Sequence, residues 1–323
     1  MSNLLIGLLS ALVATNQPAA VSNLVKRTTG ASVEVANPND PVEKEYLKLL
    51  AADDAAREEV DKWIRQAQAF EEKGAGAPQA TLNLRIKERF TSVTKSYEDF
   101  LEKHPNHTRA RLAYGSFLSE TGDEFGGMTQ WEKARELDPK NPAAWNNLAN
   151  YYGHRSPVKK SFEYYAKAIE LNPNEPVYYQ NFATTVYLFR KDAMEFYNLN
   201  ETEVFDKALD LYRKAMKLDP DNFILATDYA ESFYGTKPPR YQEGLTAWNQ
   251  ALKIAHDEVE REGIYLHLAR IKINLRQFES ARTNLNAVTN EKYSALKTTL
   301  AKKLAKEEEK AKSTNAPSVA IEK

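Results

Sequence analysis

The chain has 323 residues, more than a single small hydrophobic core organises, so we expect two domains or one extended array. Its 44 Lys and Arg residues balance 45 Asp and Glu residues, which excludes the strongly basic surface of a typical nucleic-acid-binding protein. The absence of cysteine excludes disulfides, thiolate metal sites and cysteine catalysis.

Residues 1–30 form a distinct apolar segment, because no charged side chain precedes Lys26. Residues 4–14 have the length of a signal-peptide core and are too few to span a bilayer, but the basic pair Lys26 and Arg27 follows this core instead of preceding it. Small or polar residues, which favour close helix packing, recur at Asn3, Gly7, Ser10 and Ala14. Three interpretations stay open: a packing or membrane-interface helix, a signal peptide, or an element folded back onto the rest. The compartment is therefore unassigned, and residues 1–25 are a candidate for membrane or self-association.

Residues 31–107 are predicted to form N-terminal helices. Asp40 and Pro41 have the residue types of an N-cap and a first helical position. Rings and small residues then recur at Trp63, Ala67, Phe70, Val93, Tyr97 and Phe100. We interpret this pattern as a degenerate copy of the repeat that follows it, with a lengthened turn at residues 72–83.

Prolines at positions 105, 139 and 173 have a period of 34 residues, and a fixed period of this size indicates a repeat architecture. Within residues 143–173 the order is Trp145, Leu148, Ala149, Tyr152, Ser161, Tyr165, Ala168 and Pro173. The first four residues share one helical face, and the next three share the face of a second helix. Small residues at positions 149 and 161 allow the backbones to approach closely, and the proline ends the second helix.

This order resembles the tetratricopeptide repeat (TPR), whose pattern is W-x2-L-G-x2-Y, then A-x3-F, then A and P. Residues 108–295 contain five TPR-like units in one register. Matching residues of the other four are Tyr114, Gly115, Gly127 and Trp131; Tyr179, Ala183, Ala208 and Tyr212; Tyr229, Ala230, Gly244 and Trp248; and Tyr265, Ala269, Ala281 and Leu285. The resemblance implies an all-α fold, a right-handed α-solenoid of helical hairpins.

An insertion near residues 190–204 interrupts the third unit. Its apolar side chains, including Phe196 and Tyr197, are more numerous than an exposed loop requires. Either the first helix of the unit extends and these side chains pack on the second helix, or they form a partner-contacting lip.

The C-terminal region is predicted to end in a capping helix and a tail. Apolar residues recur on one helical face at Tyr293, Leu296, Leu300 and Leu304. Residues 296–312 therefore have the pattern of the helix that covers the last hairpin of a solenoid. Residues 313–323 lack a core pattern, and we expect them to be disordered.

Motifs for catalysis are missing from the sequence. It has no glycine-rich phosphate loop, no G-x-S-x-G and no H-E-x-x-H. His104 and His107 flank the closing proline of an exposed turn, which is a poor setting for a metal. We therefore predict a protein that is not an enzyme and has no metal, cofactor or small-molecule substrate.

Each unit is numbered so that its closing proline is position 32. The resemblance then implies that positions 2, 5, 9 and 12, all in the first helix of a unit, face a concave groove. These positions hold Arg109, Leu112, Ser116, Ser119, Ala143, Asn146, Asn150, Gly153, Val177, Gln180, Thr184, Tyr187, Ile224, Thr227, Glu231 and Tyr234. At position 6, Asn147 and Asn181 are either the start of an asparagine ladder that binds peptide backbone or merely solvated. Chaperone-binding TPR domains carry cationic side chains at groove positions that are apolar in this chain. A partner of neutral to mixed charge is therefore expected.

The sequence therefore predicts a non-catalytic scaffold that binds an extended peptide or helix of a partner protein in its groove. Nucleic acid is not expected as a partner. The alternative is a membrane- or envelope-associated assembly factor that acts through the N-terminal apolar helix, with structural repeats.

Overall fold

The computed structural model describes residues 40–71, 79–155 and 157–314, which contain helices and no strand. The chain divides into two compact bodies, with the boundary between Asn181 and Phe182. The predictions for residues 1–30, for residues 72–78 of the turn and for the tail beyond residue 314 lie outside the described residues. The rest of the turn predicted at 72–83 is wrong, because residues 79–83 are helical. The all-α fold of helical hairpins predicted from the sequence is confirmed.

The first body contains two long helices followed by shorter ones. They are α1 (Pro41–Glu71), α2 (Gln79–Lys103), α3 (Thr108–Glu120), α4 (Glu124–Leu137), α5 (Pro142–Gly153), α6 (Val158–Leu171) and the start of α7 (Pro176–Leu188). The pairs α3/α4 and α5/α6 are the first two predicted repeats.

The second body begins within α7. It continues with α8 (Arg190–Tyr197), α9 (Glu201–Leu218), α10 (Phe223–Ser232), α11 (Tyr241–Lys253), α12 (Glu258–Asn274), α13 (Phe278–Asn286) and α14 (Ser294–Thr314). Short 3-10 turns occupy Phe233–Gly235 and Glu291–Tyr293.

In the α1/α2 hairpin the predicted contact residues of α2, Val93, Tyr97 and Phe100, are buried, but α1 packs in a different register from the one predicted. Asp40 caps α1, since its Oδ1 accepts a hydrogen bond from Val42 N at 2.8 Å. Trp63 is only half-buried beneath the Arg85 guanidinium, 3.7 Å from its ring centroid, and Phe70 is 56% exposed. The buried α1 residues lie earlier, at Tyr46, Leu49, Asp53, Ala56 and Val60. The sequence pattern therefore predicted a contact face too close to the C-terminal end of α1. This helix has 31 residues and makes its buried contacts in its N-terminal half.

Small residues bring the helices of each repeat together as predicted. In the first repeat, a Cβ added to Gly127 would lie 2.7 Å from the carbonyl oxygen of Gly115, closer than side chains approach backbone. In the second repeat, Ala149 and Ser161 are fully buried. Any larger side chain at these positions would have to separate the two backbones.

In each of the first three repeats, the side chain at position 4 donates a hydrogen bond to the carbonyl oxygen of the proline that precedes the repeat. Trp145 Nε1 donates a hydrogen bond to the carbonyl oxygen of Pro139 at 2.8 Å. The Tyr179 hydroxyl donates to Pro173 O at 3.1 Å, and Arg111 Nε donates to Pro105 O at 2.9 Å. Proline cannot continue the helix, and its free carbonyl is bound by a side chain one turn into the next helix. A ring is therefore not essential at this position, because arginine also supplies the donor.

The insertion forms a helix of its own. α7 ends at Leu188, α8 follows, and Asn198 adopts a left-handed conformation (φ 53°) before Asn200 caps α9. The rings of Phe196 and Tyr197 are half-buried and meet edge to face at 4.8 Å, and Lys207 Nζ of α9 lies 4.1 Å from the Tyr197 centroid. α7 therefore does not extend through the insertion as predicted. The insertion does pack on α9, the second helix of its repeat. Its role as a partner-contacting lip stays a prediction.

α14 covers the last hairpin. Leu300 and Leu304 are buried in a cluster that includes Leu266 and Leu285, as predicted. Leu296 is instead 47% exposed, because the inward-facing residue of its turn is Lys297, which is half-buried and donates to Val288 O at 2.7 Å. The helix continues to Thr314 and so includes residues 313 and 314, the first two residues of the predicted tail.

Candidate partner-binding surface

In the first body, most predicted groove residues are part of the packing. Ser116 is buried and donates to Leu112 O at 3.1 Å, and Asn150 accepts a hydrogen bond from the Tyr165 hydroxyl. Arg109 forms an ion pair with Glu43 of α1. Leu112, Ala143, Gly153 and Val177 are buried as well, while Ser119 and Gln180 are partly exposed. The packing of α1 on α3 explains why Arg109 is engaged within the protein.

The predicted asparagine ladder is an internal chain of amides. Asn146 and Asn147 are 0% and 1% exposed, and their side-chain amides lie 3.3 Å apart. Asn181 Nδ2 donates to Asn146 Oδ1 at 3.2 Å. With the Asn147 amide oriented to suit its neighbours, its oxygen accepts from Trp131 Nε1 at 3.3 Å. These amides therefore join α4, α5 and α7, and the interpretation of Asn147 as a solvated residue is wrong.

Replacement of Asn146 by alanine tests this structural role. The substitution leaves the Asn147 and Asn181 amides short of a partner, and we expect a loss of about 1–2 kcal/mol in the free energy of unfolding. Denaturant unfolding measures the loss, with Asn249→Ala on an exposed turn of α11 as the control. Equal stability of Asn146→Ala and the wild type would contradict the amide chain.

In the second body, the residues at the predicted groove positions are more accessible to solvent than those of the first body. Ile224 is 50% exposed, Glu231 is exposed, and Thr184, Tyr187, Thr227 and Tyr234 are half-buried. The Thr184 and Tyr212 hydroxyls are 2.8 Å apart, and the Tyr187 hydroxyl lies against Gly235. The polar groups of α7 and α10 thus remain at the surface of this body.

Two residues of α12 complete this surface. The Tyr234 hydroxyl lies 3.0 Å from His267 Nδ1, and the His267 ring stacks on Trp248 at 4.0 Å. The Arg270 guanidinium lies 4.3 Å from the Tyr234 ring centroid. We call Tyr187, Glu231, Tyr234, His267 and Arg270 the tyrosine surface. Sequence reasoning did not include His267 and Arg270, although the register of the fifth repeat places them at positions 6 and 9.

Burial shifts the pKa of four residues of the tyrosine surface. It raises the pKa of Tyr187 and Tyr234 and that of the Glu231 carboxyl. Burial lowers the pKa of His267 to about 4, and the nearby Arg270 charge adds to this shift. At neutral pH the imidazole is therefore neutral, which suits its stacking on Trp248.

The stability of the second body is expected to depend on His267 in mild acid. Because its pKa is about 4 when folded and near 6.5 when unfolded, the unfolded state binds the proton first as pH falls. The stability that the neutral imidazole contributes is full well above pH 6.5, and about 3 kcal/mol of it is lost by pH 4. Unfolding free energies measured across this window should show a weaker pH dependence for His267→Phe than for the wild type. An unchanged dependence would contradict the assignment.

His104 and His107, which the sequence analysis considered as metal ligands, have structural roles. His107 Nδ1 accepts a hydrogen bond from Ala110 N at 3.0 Å and so caps α3, while His104 Nε2 lies 3.2 Å from Glu45 Oε2. Among residues 40–71, 79–155 and 157–314, no group of three or more His, Cys, Asp or Glu side chains is arranged to hold a metal. In the same residues, no helix is both long and apolar enough to cross a membrane.

Comparison with known proteins identifies the repeat. The family model of the tetratricopeptide repeat matches residues 142–175, which contain α5 and α6. Photosystem I assembly protein Ycf3 of Cyanophora paradoxa is 29% identical over 99 residues, 30% of this chain and 57% of that protein. Small glutamine-rich tetratricopeptide repeat-containing protein 2 of Mycosarcoma maydis is 29% identical over 125 residues, 38% of this chain and 30% of that protein. The chain thus spans about half or less of the length of these two relatives.

Among solved structures, the type IV pilus biogenesis factor PilW superposes with a TM-score of 0.53. The match covers 69% of this chain and 96% of PilW at 14% identity, so it shows a shared helical-repeat fold.

Proposed function

Because the chain is a tetratricopeptide-repeat protein, we propose that it is a non-catalytic scaffold that binds an extended segment of a partner protein. The repeats themselves indicate a role in protein–protein interaction. We assign the contact to the first helices of the second body, where the tyrosine surface and Thr227 are accessible. The observation that supports this choice is the difference in exposure between the two bodies, because Asn146 and Asn147 of the first body are buried in its packing.

A single bulky substitution tests this assignment. Thr227 is partly exposed on the first helix α10, and Thr246 is exposed on the second helix α11. Affinity capture with the full chain, followed by mass spectrometry, should lose its specific partner with Thr227→Arg and keep it with Thr246→Arg. Equal capture by both variants would contradict binding through α10.

A second candidate function is assembly of a larger complex with the help of the N-terminal apolar segment. It is supported by the matched relative, which is described as a photosystem I assembly protein. Under this proposal, deletion of residues 1–30 changes membrane fractionation or oligomer size, whereas Thr227→Arg leaves both unchanged. Unaltered fractionation and oligomer size after the deletion would count against it.

A further inference from the structure

The helix α3 is capped by a histidine. His107 Nδ1 accepts a hydrogen bond from Ala110 N at 3.0 Å and so satisfies one of the free amides of the first turn. Among the described residues, the side chains that cap the other helices are aspartates and asparagines: Asp40, Asp123, Asn141, Asn200, Asn222 and Asp257. An oxygen of these side chains stays an acceptor in mild acid, whereas an imidazole nitrogen binds a proton there and becomes a donor.

The two ring nitrogens of His107 have different contacts, and together these contacts fix its tautomer. Nδ1 must be unprotonated to accept from Ala110 N, so the proton of the neutral ring is on Nε2. Nε2 lies 3.5 Å from Glu43 Oε1 of α1, which is an acceptor. A second proton is added at Nδ1, where it would point at the Ala110 N–H. The cap and the charged imidazolium therefore exclude each other.

The His107 ring lies in the joint between α1, α2 and α3. Its side chain is only 11% exposed, and its centroid is 4.7 Å from the Tyr46 ring of α1 and 5.1 Å from the Phe100 ring of α2. The Tyr46 hydroxyl also donates to Arg109 O, in the first turn of α3, at 3.4 Å. A change in the first turn of α3 therefore reaches α1 directly.

The charged groups that act on the ring are Glu43 of α1 and Arg109 of α3, which form an ion pair with each other. Burial lowers the pKa of His107, the Glu43 carboxylate opposes this shift, and the Arg109 charge adds to it. His104, which follows α2, is directed at Glu45, 3.2 Å from its Oε2, and its carbonyl oxygen accepts from His107 N at 3.1 Å. Because the pKa of His107 is lower in the folded than in the unfolded chain, the cap is complete well above pH 6.5 and is lost as the pH falls through the folded pKa.

We propose that His107 is an acid-sensitive latch: a proton on Nδ1 breaks the cap, frees the first turn of α3 and weakens its contact with α1. At neutral pH the latch is closed, and the α1/α2 hairpin is held on the first repeat. This inference concerns the first body and does not depend on the partner-binding surface proposed for the second.

Nuclear magnetic resonance of the full-length chain tests the latch without any substitution. At neutral pH the His107 ring should show the tautomer with the proton on Nε2. On acidification, the Ala110 amide should lose protection from hydrogen exchange with the same midpoint as the titration of the His107 ring, and residues 43–50 of α1 should follow. After correction for the intrinsic pH dependence of exchange, we expect the protection of Ala110 to fall about fivefold, which corresponds to an N-cap of about 1 kcal/mol. A proton on Nδ1 at neutral pH, or protection of Ala110 that is constant through the titration of His107, would overturn the proposal.

His107→Asn and His104→Asn are a matched pair of variants from the same turn. Asparagine keeps an acceptor at the cap without a titrating group, so His107→Asn should hold the Ala110 amide protected to about pH 5. His104→Asn removes the neighbouring histidine and should keep the response of the wild type. An acid response of Ala110 that persists in His107→Asn, or disappears in His104→Asn, would assign the sensitivity to another group and refute the latch. The titration of the wild type decides the question even where a variant fails to fold.

Discussion

Trp248→Ala is expected to lower the free energy of unfolding of the second body by about 3–5 kcal/mol, the usual cost of removing a large buried aromatic side chain. Trp248 is 1% exposed and stacks on His267 at 4.0 Å, so the truncation leaves a cavity and removes the support of Tyr234. Repeat proteins depend on contacts between neighbouring hairpins, and the loss should therefore spread from α11 to α10 and α12. Denaturant unfolding followed by circular dichroism measures it.

Trp63→Ala provides the matched control. Trp63 is half-buried and covered mainly by Arg85, so its truncation should cost clearly less than that of Trp248. Equal losses for the two variants would contradict the position of Trp248 at the centre of the second body.

Gly127→Val is expected to destabilise the first body by about 3 kcal/mol, at the upper end of the cost of overpacking. The first added carbon would already lie 2.7 Å from the backbone oxygen of Gly115 and 3.1 Å from Ser119 Cβ. Backbone cannot move aside as a flexible side chain does, so α3 and α4 must separate. Denaturant unfolding of the variant gives the cost.

Ala301→Val, at an exposed site on α14, measures the cost of a valine in a helix where the side chain has room. A loss with Gly127→Val no larger than the loss with Ala301→Val would show that α3 and α4 do not depend on glycine.

The repeat hairpins were predictable because their signals are local. The small pair Gly115 and Gly127 and the closing prolines have fixed spacing, and each encodes a contact between helices that follow one another in the chain. The donors at Arg111 and Trp145 were not foreseen as a group, because one is a cation and the other a ring. Only the geometry shows that both bind the carbonyl of the preceding proline.

The candidate surface was less predictable, since exposure depends on contacts between hairpins. Asn150 and Glu231 both occupy position 9 of their first helices, but Asn150 is half-buried and Glu231 is exposed. The difference arises from neighbours: Asn150 accepts a hydrogen bond from the Tyr165 hydroxyl, while Glu231 has no hydrogen-bond or ion-pair partner among the described residues. The register of α1 was predicted wrongly for a related reason, because its buried residues contact both α2 and α3: Asp53 accepts a hydrogen bond from the Tyr97 hydroxyl, and the Tyr46 hydroxyl donates to Arg109 O.

Photo-crosslinking at single positions tests the central claim most directly. A benzophenone side chain is placed at Thr227 or Tyr187 on the first helices and at Thr246 or Gln242 on the second helix α11, and the full chain is irradiated with its captured partner. Binding through the first helices predicts crosslinks to the partner from Thr227 and Tyr187 and none from Thr246 and Gln242. Crosslinks of equal or greater yield from the α11 positions would contradict it.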